Sequence, residues 1–530
     1  MIRNTLTFLV RDALIREGAD PEGFSVTHTE RREHGDYATN AAMVAAKKAG
    51  ISPRTLAEGI KAHLDLGKHA MIKEVSIAGP GFINITLTED ALADEMERLR
   101  EELPRGVERE KKERINIEFI SANPTGDLHI GHGRGAFFGD VLARVLAYAG
   151  AEVTREFYIN DSRESKQIKE LGKTARGEGE QYKTERLMQL LARVDVSGKS
   201  ESDAGFLLAE MVGAYNRAFI ESKLGINFDI WYSEDARIRA TGAADNMLAL
   251  LKEKNLLHEK DGAVWLKTSE YDDGEDQVVV RSDGSKSYFI ADIFYHNEKF
   301  ARGFTKAIDV WGADHHGHVK RMHAAGKMLG WPEGVPHIFI TQMVALKEDG
   351  ESKKMSKRAG NVILLEDLVD ELGIDVVRWF FLEKSLSSHM EFDMALARER
   401  SAKNPVFYVQ YAHARIASIV RNAAGAVEKS DGSLTELLAN LSARALAGKI
   451  ATFPEVVSDI AQNYEVQRLP TYTYELASLF SQFYRDVRVI DEGKVNAAAL
   501  ALVSLTKDTL AQTLALLGIS APEKMEKEKE

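Results

Sequence analysis

The pattern of apolar and polar positions changes character twice along the chain. At the start, Leu6, Leu9, Val10, Ala13 and Leu14 recur at helical spacing, and a second helical stretch follows GDYATN at 35–40. The run KEVSIAGPGFINITLT then alternates on either side of Gly79-Pro80-Gly81, which predicts a β-hairpin. From Ile115 to about Leu382, short apolar runs alternate with helical segments, as in a parallel sheet covered by helices on both faces. These runs are INIEFI, EVTREFYI, VVVR (278–281), AIDVWG (307–312) and HIFITQMVAL (337–346). Between Gly172 and about Asp273 the pattern turns helical and charged, which predicts an insertion. Beyond about Met394 the β pattern fades. Val406, Val409, His413, Ile416 and Val420 follow helical spacing, as do Leu476, Leu479, Phe480, Phe483, Val487 and Ile490.

This patterning predicts an α/β plus all-α multidomain chain. A small α+β domain spans 1–102. A Rossmann-like parallel-sheet domain spans 103–394, with the helical insertion at about 172–273, and a helical bundle spans 395–530. The length of 530 residues suits several domains.

Composition narrows the function without naming it. The 69 basic and 81 acidic side chains give a net charge of −12, so a nucleic-acid partner must be met by local basic patches. The absence of cysteine excludes disulfides, thiolate zinc sites and cysteine nucleophiles, and fits a reducing, cytoplasmic setting. No apolar run reads as long enough to span a bilayer, and the N-terminal apolar stretch is interrupted by Arg11, Asp12 and Arg16. No membrane partner is expected.

Two stretches carry candidate chemistry. SANPTGDLHIGHGRG, at 121–135, lies between a predicted strand and a predicted helix, where backbone N–H groups and the helix dipole face an anion. His129 and His132 stand three apart and share a face of the first turn. Gly131 between them lacks a Cβ, which admits a flat group such as adenine. The letters HIGH alone fit a capped helix with two surface histidines equally well. The second stretch is Lys354-Met355-Ser356-Lys357-Arg358, in a hydrophilic loop flanked by Gly350 and Gly360. Two lysines three apart can close over a polyphosphate and neutralise a leaving pyrophosphate, although most lysine-rich loops are plain surface. The histidines of GADHHGH, with Asp314, invite a metal reading, but neighbouring residues at a strand end point in different directions, and no metal site is expected there.

Taken together, these motifs resemble the class I aminoacyl-tRNA synthetases, and among them the arginyl-tRNA synthetases of bacterial type. The resemblance runs through EHGDYATN, NPTGDLHIGH, FYIND, LGINFDIWYSE, VVVRSDGSKSYFIADI, VWGADHHGH, KMSKRAGN and NPVFYVQYAHARI to LALLGISAPEKM near the end. It implies that the carboxylate of L-arginine attacks the α-phosphorus of ATP and expels pyrophosphate. The arginyl group then passes to the 2′-hydroxyl of the terminal adenosine of tRNA. ATP with Mg2+ is the implied substrate complex, zinc is not expected, and a monomer is.

The resemblance also assigns residues. His129, His132, Lys354 and Lys357 would be catalytic, and Gly126, Gly131, Met355 and Ser356 would line the ATP site with the histidines. Tyr288 and Asp292, four apart, fall to the guanidinium end. Asp292 is the stronger acceptor, because a carboxylate can take a two-pronged contact from that planar fork of donors. Asn123 and Asn160 fall to the α-amino and α-carboxylate groups, and His315 to the pocket wall. Ala291 stands where relatives often carry a larger polar residue. Tyr408, Gln410, Tyr411 and Arg415 form the kit for splayed RNA bases in the anticodon-binding bundle. Rival readings are another class I synthetase, a shorter nucleotidylyltransferase and a non-catalytic tRNA-binding paralogue. A dinucleotide-binding oxidoreductase is disfavoured, since no GxGxxG follows a strand.

Overall fold

The computed structural model describes residues 1–29, 32–66, 69–106, 112–271, 274–348, 351–353, 363–424, 428–430 and 432–525. They form two compact units, one of Glu108–Glu399 with Leu517–Ile519, the other of Met1–Val107, Arg400–Leu516 and Ser520–Glu530.

The first unit is built on five parallel strands, β1 (Arg114–Glu118), β2 (Glu152–Ile159), β3 (Ile230–Ser233), β4 (Lys306–Trp311) and β5 (His337–Ile340), in the order β5-β4-β1-β2-β3. The chain winds outward from β1 to β3 and returns to β4, so the direction reverses between β1 and β4. Ligands gather at such a reversal, beyond the carboxyl ends of the strands. Helix α1 (Ile130–Tyr148) follows β1 and lies close against the sheet through glycines spaced four apart. A Cβ on Gly139 would run into the Phe119 ring, and one on Gly135 would sit 3.3 Å from Val310 Cγ1.

Three sequence expectations need correction here. β3 lies inside the stretch read as a helical insertion: a strand of only four residues, IWYS, is too short to separate from a buried helix by periodicity. VVVR does not join the central sheet. Gln277–Val280 pairs antiparallel with Ala263–Leu266, which pairs with Leu257–Lys260. HIFITQMVAL breaks in two: the Thr341 N–H makes the last bond to β4, at the Trp311 carbonyl (2.8 Å), and Val344–Glu348 pairs instead with Glu351–Lys353 and Met390–Asp393.

The helical part of the inserted stretch is α2 (Lys166–Ala175), α3 (Glu185–Leu191) and α4 (Glu201–Ser222). These helices share their own core of Ile168, Leu171, Ala175, Leu187, Ala204, Leu208, Ala209 and Val212. At the α2/α4 crossing a Cβ on Gly172 would run into the Glu201 carbonyl oxygen, and one on Gly205 into that of Ile168. The two backbones therefore touch directly.

In the second unit, an antiparallel sheet of Val26–His28, Tyr37–Thr39, Phe82–Leu87 and Ile72–Ala78 includes the hairpin around Gly79-Pro80-Gly81. A helical bundle completes it, with Pro405–Ala424, Leu441–Ala451, Phe453–Asn463, Arg468–Asp486 and Ala497–Leu517. Arg444 Nη2 joins the two parts, donating to Asp36 Oδ2 at 2.6 Å and to the Leu87 carbonyl at 2.8 Å. Tyr37 donates its hydroxyl to buried Glu455 at 2.7 Å. By length and composition Ala497–Leu517 would suffice to cross a membrane, and over half of its apolar window is buried inside the protein.

Candidate functional site

Directly beyond β1 the backbone bends through an unusual conformation. Ile120 has φ 68° and Ser121 φ 39°, a left-handed region that a β-branched residue rarely occupies. The Ser121 hydroxyl accepts the Tyr158 N–H of β2 at 3.1 Å, which helps hold the bend. Strain of this kind concentrates where surrounding structure fixes a functional loop.

The loop ends at the two histidines, which start α1. His129 is the N-cap, and its Nδ1 accepts the Gly131 N–H at 3.1 Å. His132 reaches back so that its Nδ1 accepts the His129 N–H at 3.0 Å. The two rings lie 3.9 Å apart between centroids. This is the reciprocal geometry of a capping box with imidazoles in place of a hydroxyl and a carboxylate. An imidazole accepting at Nδ1 is neutral and carries its hydrogen on Nε2. Gly131 serves the ring beside it. A Cβ there would lie 2.9 Å from His129 Cε1, so its absence makes room for the histidine ring itself. Gly126, by contrast, faces open space.

Helix α6 (Leu365–Leu372) is pinned to this loop by backbone bonds. Ile130 donates to the Ile363 carbonyl at 3.0 Å, and Leu365 donates to the Leu128 carbonyl at 2.9 Å. Lys354, Met355, Ser356 and Lys357 lie outside the described residues.

At the same edge of the sheet, α5 (Tyr288–Ala301) runs antiparallel in connection to β4 and presents its N-terminal turns. Tyr288 is 45 % exposed there, and Asp292 follows one turn later, open to solvent only in part. Burial pushes the Asp292 carboxyl up to about 7; His296 and Arg239 pull it down, while Glu234 and Glu118 push it further up. Glu234, buried just after β3, takes both Nε and Nη2 of Arg239 on one oxygen, at 2.9 and 2.7 Å. Tyr158 is buried under the same carboxylates, and its phenol is held protonated, chiefly by that burial. A partly exposed carboxyl raised by burial and by neighbouring carboxylates favours a cation beside it.

Beneath the pocket lies a charged floor. Asp309, Glu118 and Glu156 occupy one cross-strand row on β4, β1 and β2 and are all buried. α5 answers them. Lys299 Nζ donates to Asp309 Oδ1 at 2.6 Å and to Glu118 Oε2 at 3.1 Å. His296 lies 3.0 Å from Asp309 through Nε2, and its Nδ1 lies 2.8 Å from the Asp292 carbonyl. Arg302, just after α5, takes both oxygens of Glu156 at 2.6 and 3.0 Å. Burial lowers the His296 affinity for a proton, but Asp309 more than offsets it and the net shift is upward. Glu118, His296 and Asp309 bring ligand atoms within 4.8 Å of one another, as a metal would need, but the Lys299 ammonium already stands between the two carboxylates. Replacing Lys299 by methionine leaves Glu118 buried without its ammonium partner and Asp309 with His296 alone. The expected loss is about 3–5 kcal/mol of unfolding free energy near neutral pH, measured by urea denaturation. Part of it should return toward pH 5, because a buried acid with a raised folded-state pKa stops destabilising once protonated.

The remaining expected residues are spread more widely. Asn123 is exposed and Asn160 half-buried, each just past a strand end. His315 is exposed in a short turn, its ring 6.1 Å from Trp311 and 5.7 Å from His318. On Pro405–Ala424, Tyr408 donates to Ser481 Oγ at 3.3 Å, and Gln410 donates its amide to Ser520. The Tyr411 ring lies parallel to that of Phe407, and exposed Arg415 covers the Tyr484 ring at 4.3 Å.

Glu118, Tyr158, Glu234, His296, Lys299 and Asp309 were not among the expected site residues. Two signals point to most of them. Acids interrupt apolar strand runs at INIEFI and AIDVWG, where both faces of a parallel strand are buried. Asp292, His296 and Lys299 recur at helical spacing within a helix that is apolar at most of its other positions.

Comparison with known proteins agrees in every part of the chain. The model "tRNA synthetases class I (R), catalytic domain" matches residues 97–203 and 218–393. "Arginyl tRNA synthetase N terminal domain" matches 4–87, and "DALR anticodon binding domain" matches 409–525. The chain is 41 % identical to the arginine–tRNA ligase of Symbiobacterium thermophilum, over 96 % of this chain and 95 % of that one. It is also 41 % identical to arginine–tRNA ligase 1 of Halalkalibacterium halodurans, over 99 % and 98 %. The arginyl-tRNA synthetase structure from Thermus thermophilus shares the fold, with a TM-score of 0.78 at 23 % identity, over 99 % of this chain and 100 % of that one. With an imidazole-capped loop at the sheet reversal, a helical bundle after it and family matches along nearly its full length, the chain belongs to the class I arginyl-tRNA synthetases.

Proposed function

We propose that this protein is an arginine–tRNA ligase. It joins the carboxylate of L-arginine to the α-phosphorus of ATP, releasing pyrophosphate, and passes the arginyl group to the 2′-hydroxyl of the 3′-terminal adenosine of its tRNA, releasing AMP. The observation that carries this reading is the imidazole pair at the start of α1. Both rings accept backbone N–H at Nδ1, so both direct a donor hydrogen from Nε2. Donors aimed at phosphate oxygens stabilise the charge that builds there as the α-phosphorus is attacked.

Lys354 and Lys357 complete the phosphate site in this reading. Lys357 is six residues from Ile363, whose carbonyl is bonded to Ile130, and six residues of chain reach at most about 20 Å. Met355, Ser356, Gly126 and Gly131 line the nucleotide site, with Mg2+ entering on ATP. Asp292 takes the guanidinium of the substrate with Tyr288 at the rim, while Asn123, Asn160 and His315 hold the α-amino and carboxylate end. Tyr408, Gln410, Tyr411 and Arg415 meet tRNA. The protein acts as a cytoplasmic monomer, with no zinc.

The guanidinium is bound by the ionised carboxylate. With the free Asp292 carboxyl near 7, the arginine KM should be flat above about pH 8 and rise by up to about tenfold per pH unit below 6, with kcat less affected. Initial rates of arginine-dependent ATP–pyrophosphate exchange, measured with tRNA present, check this. A KM independent of pH over that range would remove Asp292 from the guanidinium contact. The function itself is tested by charging total tRNA with each of the twenty amino acids. Arginine alone should be attached; preferential attachment of another amino acid refutes the assignment.

A further inference from the structure

The helices α2, α3 and α4 had no role in the sequence reading, yet two of them reach the nucleotide loops. Arg186, in the first turn of α3, lies with its guanidinium over the Tyr215 ring of α4 at 3.9 Å. From there Nη2 donates to Glu366 Oε2 at 3.0 Å, in the first turn of α6, and Nε lies 3.5 Å from Asp127 Oδ1, two residues before His129. The Tyr215 hydroxyl donates to the same Glu366 oxygen. Asn216 beside it donates Nδ2 to the Gly126 carbonyl at 3.0 Å. Lys223, at the end of α4, pairs with Asp370 one turn further along α6.

We propose that Arg186 is a positioning residue for adenylate formation, holding the imidazole-bearing loop and the start of α6 at a fixed separation. The inference rests on the activity proposed above. The loop and α6 each bring a carboxylate to this point, and Asp127 is half-buried, its carboxyl raised by burial and by Glu366 and Asp367 while Arg186 lowers it. Without the guanidinium the two acids repel across the seam that the Ile130–Ile363 and Leu365–Leu128 bonds close. A shift there displaces the imidazoles at the start of α1 from the geometry the loop holds. Small displacements of positioned groups cost rate steeply.

The test uses the full chain with Arg186→Gln, Glu366→Gln and the double variant. Amide hydrogen exchange at Ile130 and Leu365 should rise about tenfold or more in each variant, with the melting midpoint unchanged. The kcat of arginine-dependent ATP–pyrophosphate exchange, with tRNA present, should fall about tenfold while the arginine KM stays constant. The double variant should be no worse than the worse single, because both substitutions break one tie. Unchanged amide rates, or losses that multiply in the double variant, overturn the proposal. Should Arg186→Gln fail to fold, Glu366→Gln and Asp127→Asn carry the same comparison. An unsubstituted protein that lacks arginine-dependent exchange would refute the proposed activity, and the amide rates would still decide whether Arg186 ties the two segments.

Discussion

Asp292→Ala should lower kcat/KM for arginine by about 10³ while leaving ATP affinity unchanged. Truncating one member of a desolvated charge pair typically costs ~2–5 kcal/mol, much of it from the partner left unpaired. Here the partner is the substrate guanidinium, which cannot shed its charge. The pocket around it keeps Glu234, but that carboxylate already holds Arg239 through one oxygen. Asp292→Asn separates charge from shape: it preserves volume and one acceptor, so its loss should be smaller and its KM should no longer follow pH. Equal losses in arginine use and ATP binding would instead indicate damage to α5, whose Asp292 carbonyl contacts His296.

The second large effect is expected at the imidazole pair. His129→Asn should reduce arginine-dependent ATP–pyrophosphate exchange by about 10²–10³, the usual cost of one lost transition-state donor. Asparagine is a good N-cap, so α1 should keep its start and the melting temperature should hold. His129→Ala removes donor and cap together, and about 0.5–2 kcal/mol of stability should go with the activity. His132→Gln offers the parallel control, since glutamine at the third helical position can still accept the His129 N–H. A His129→Asn enzyme with full exchange activity would show that the ring serves α1 alone.

The loop and the helix it starts were legible in the sequence because their pattern is local. SANPTGDLHIGHGRG joins strand, loop and helix within fifteen consecutive positions, and each part has a sequence signature. The charged floor is different. Glu118, Glu156 and Asp309 come from three strands, and their neutralising cations come from α5 and Arg302. An acid in a short apolar run looks like an exposed edge until the strand order is known. The left-handed Ile120 was equally hidden, since such a conformation signals itself in sequence only when glycine or asparagine occupies it. β3 was missed because a four-residue strand carries too little periodicity to distinguish strand from helix.

The glycines at the α2/α4 crossing make the inserted helices a strut rather than a flap. With backbone on backbone at Gly172 and Gly205, there is no side chain to repack and absorb a change of angle. Tyr215 and Asn216 lie ten and eleven residues further along the same helix, about 15 Å by helical rise, so any tilt at the pivot is magnified where they grip Glu366 and Gly126. A related sequence with side chains at both pivot positions must seat these helices at a wider spacing. That pair of positions is therefore a marker, readable without coordinates, for which relatives can brace their nucleotide loops in the same way.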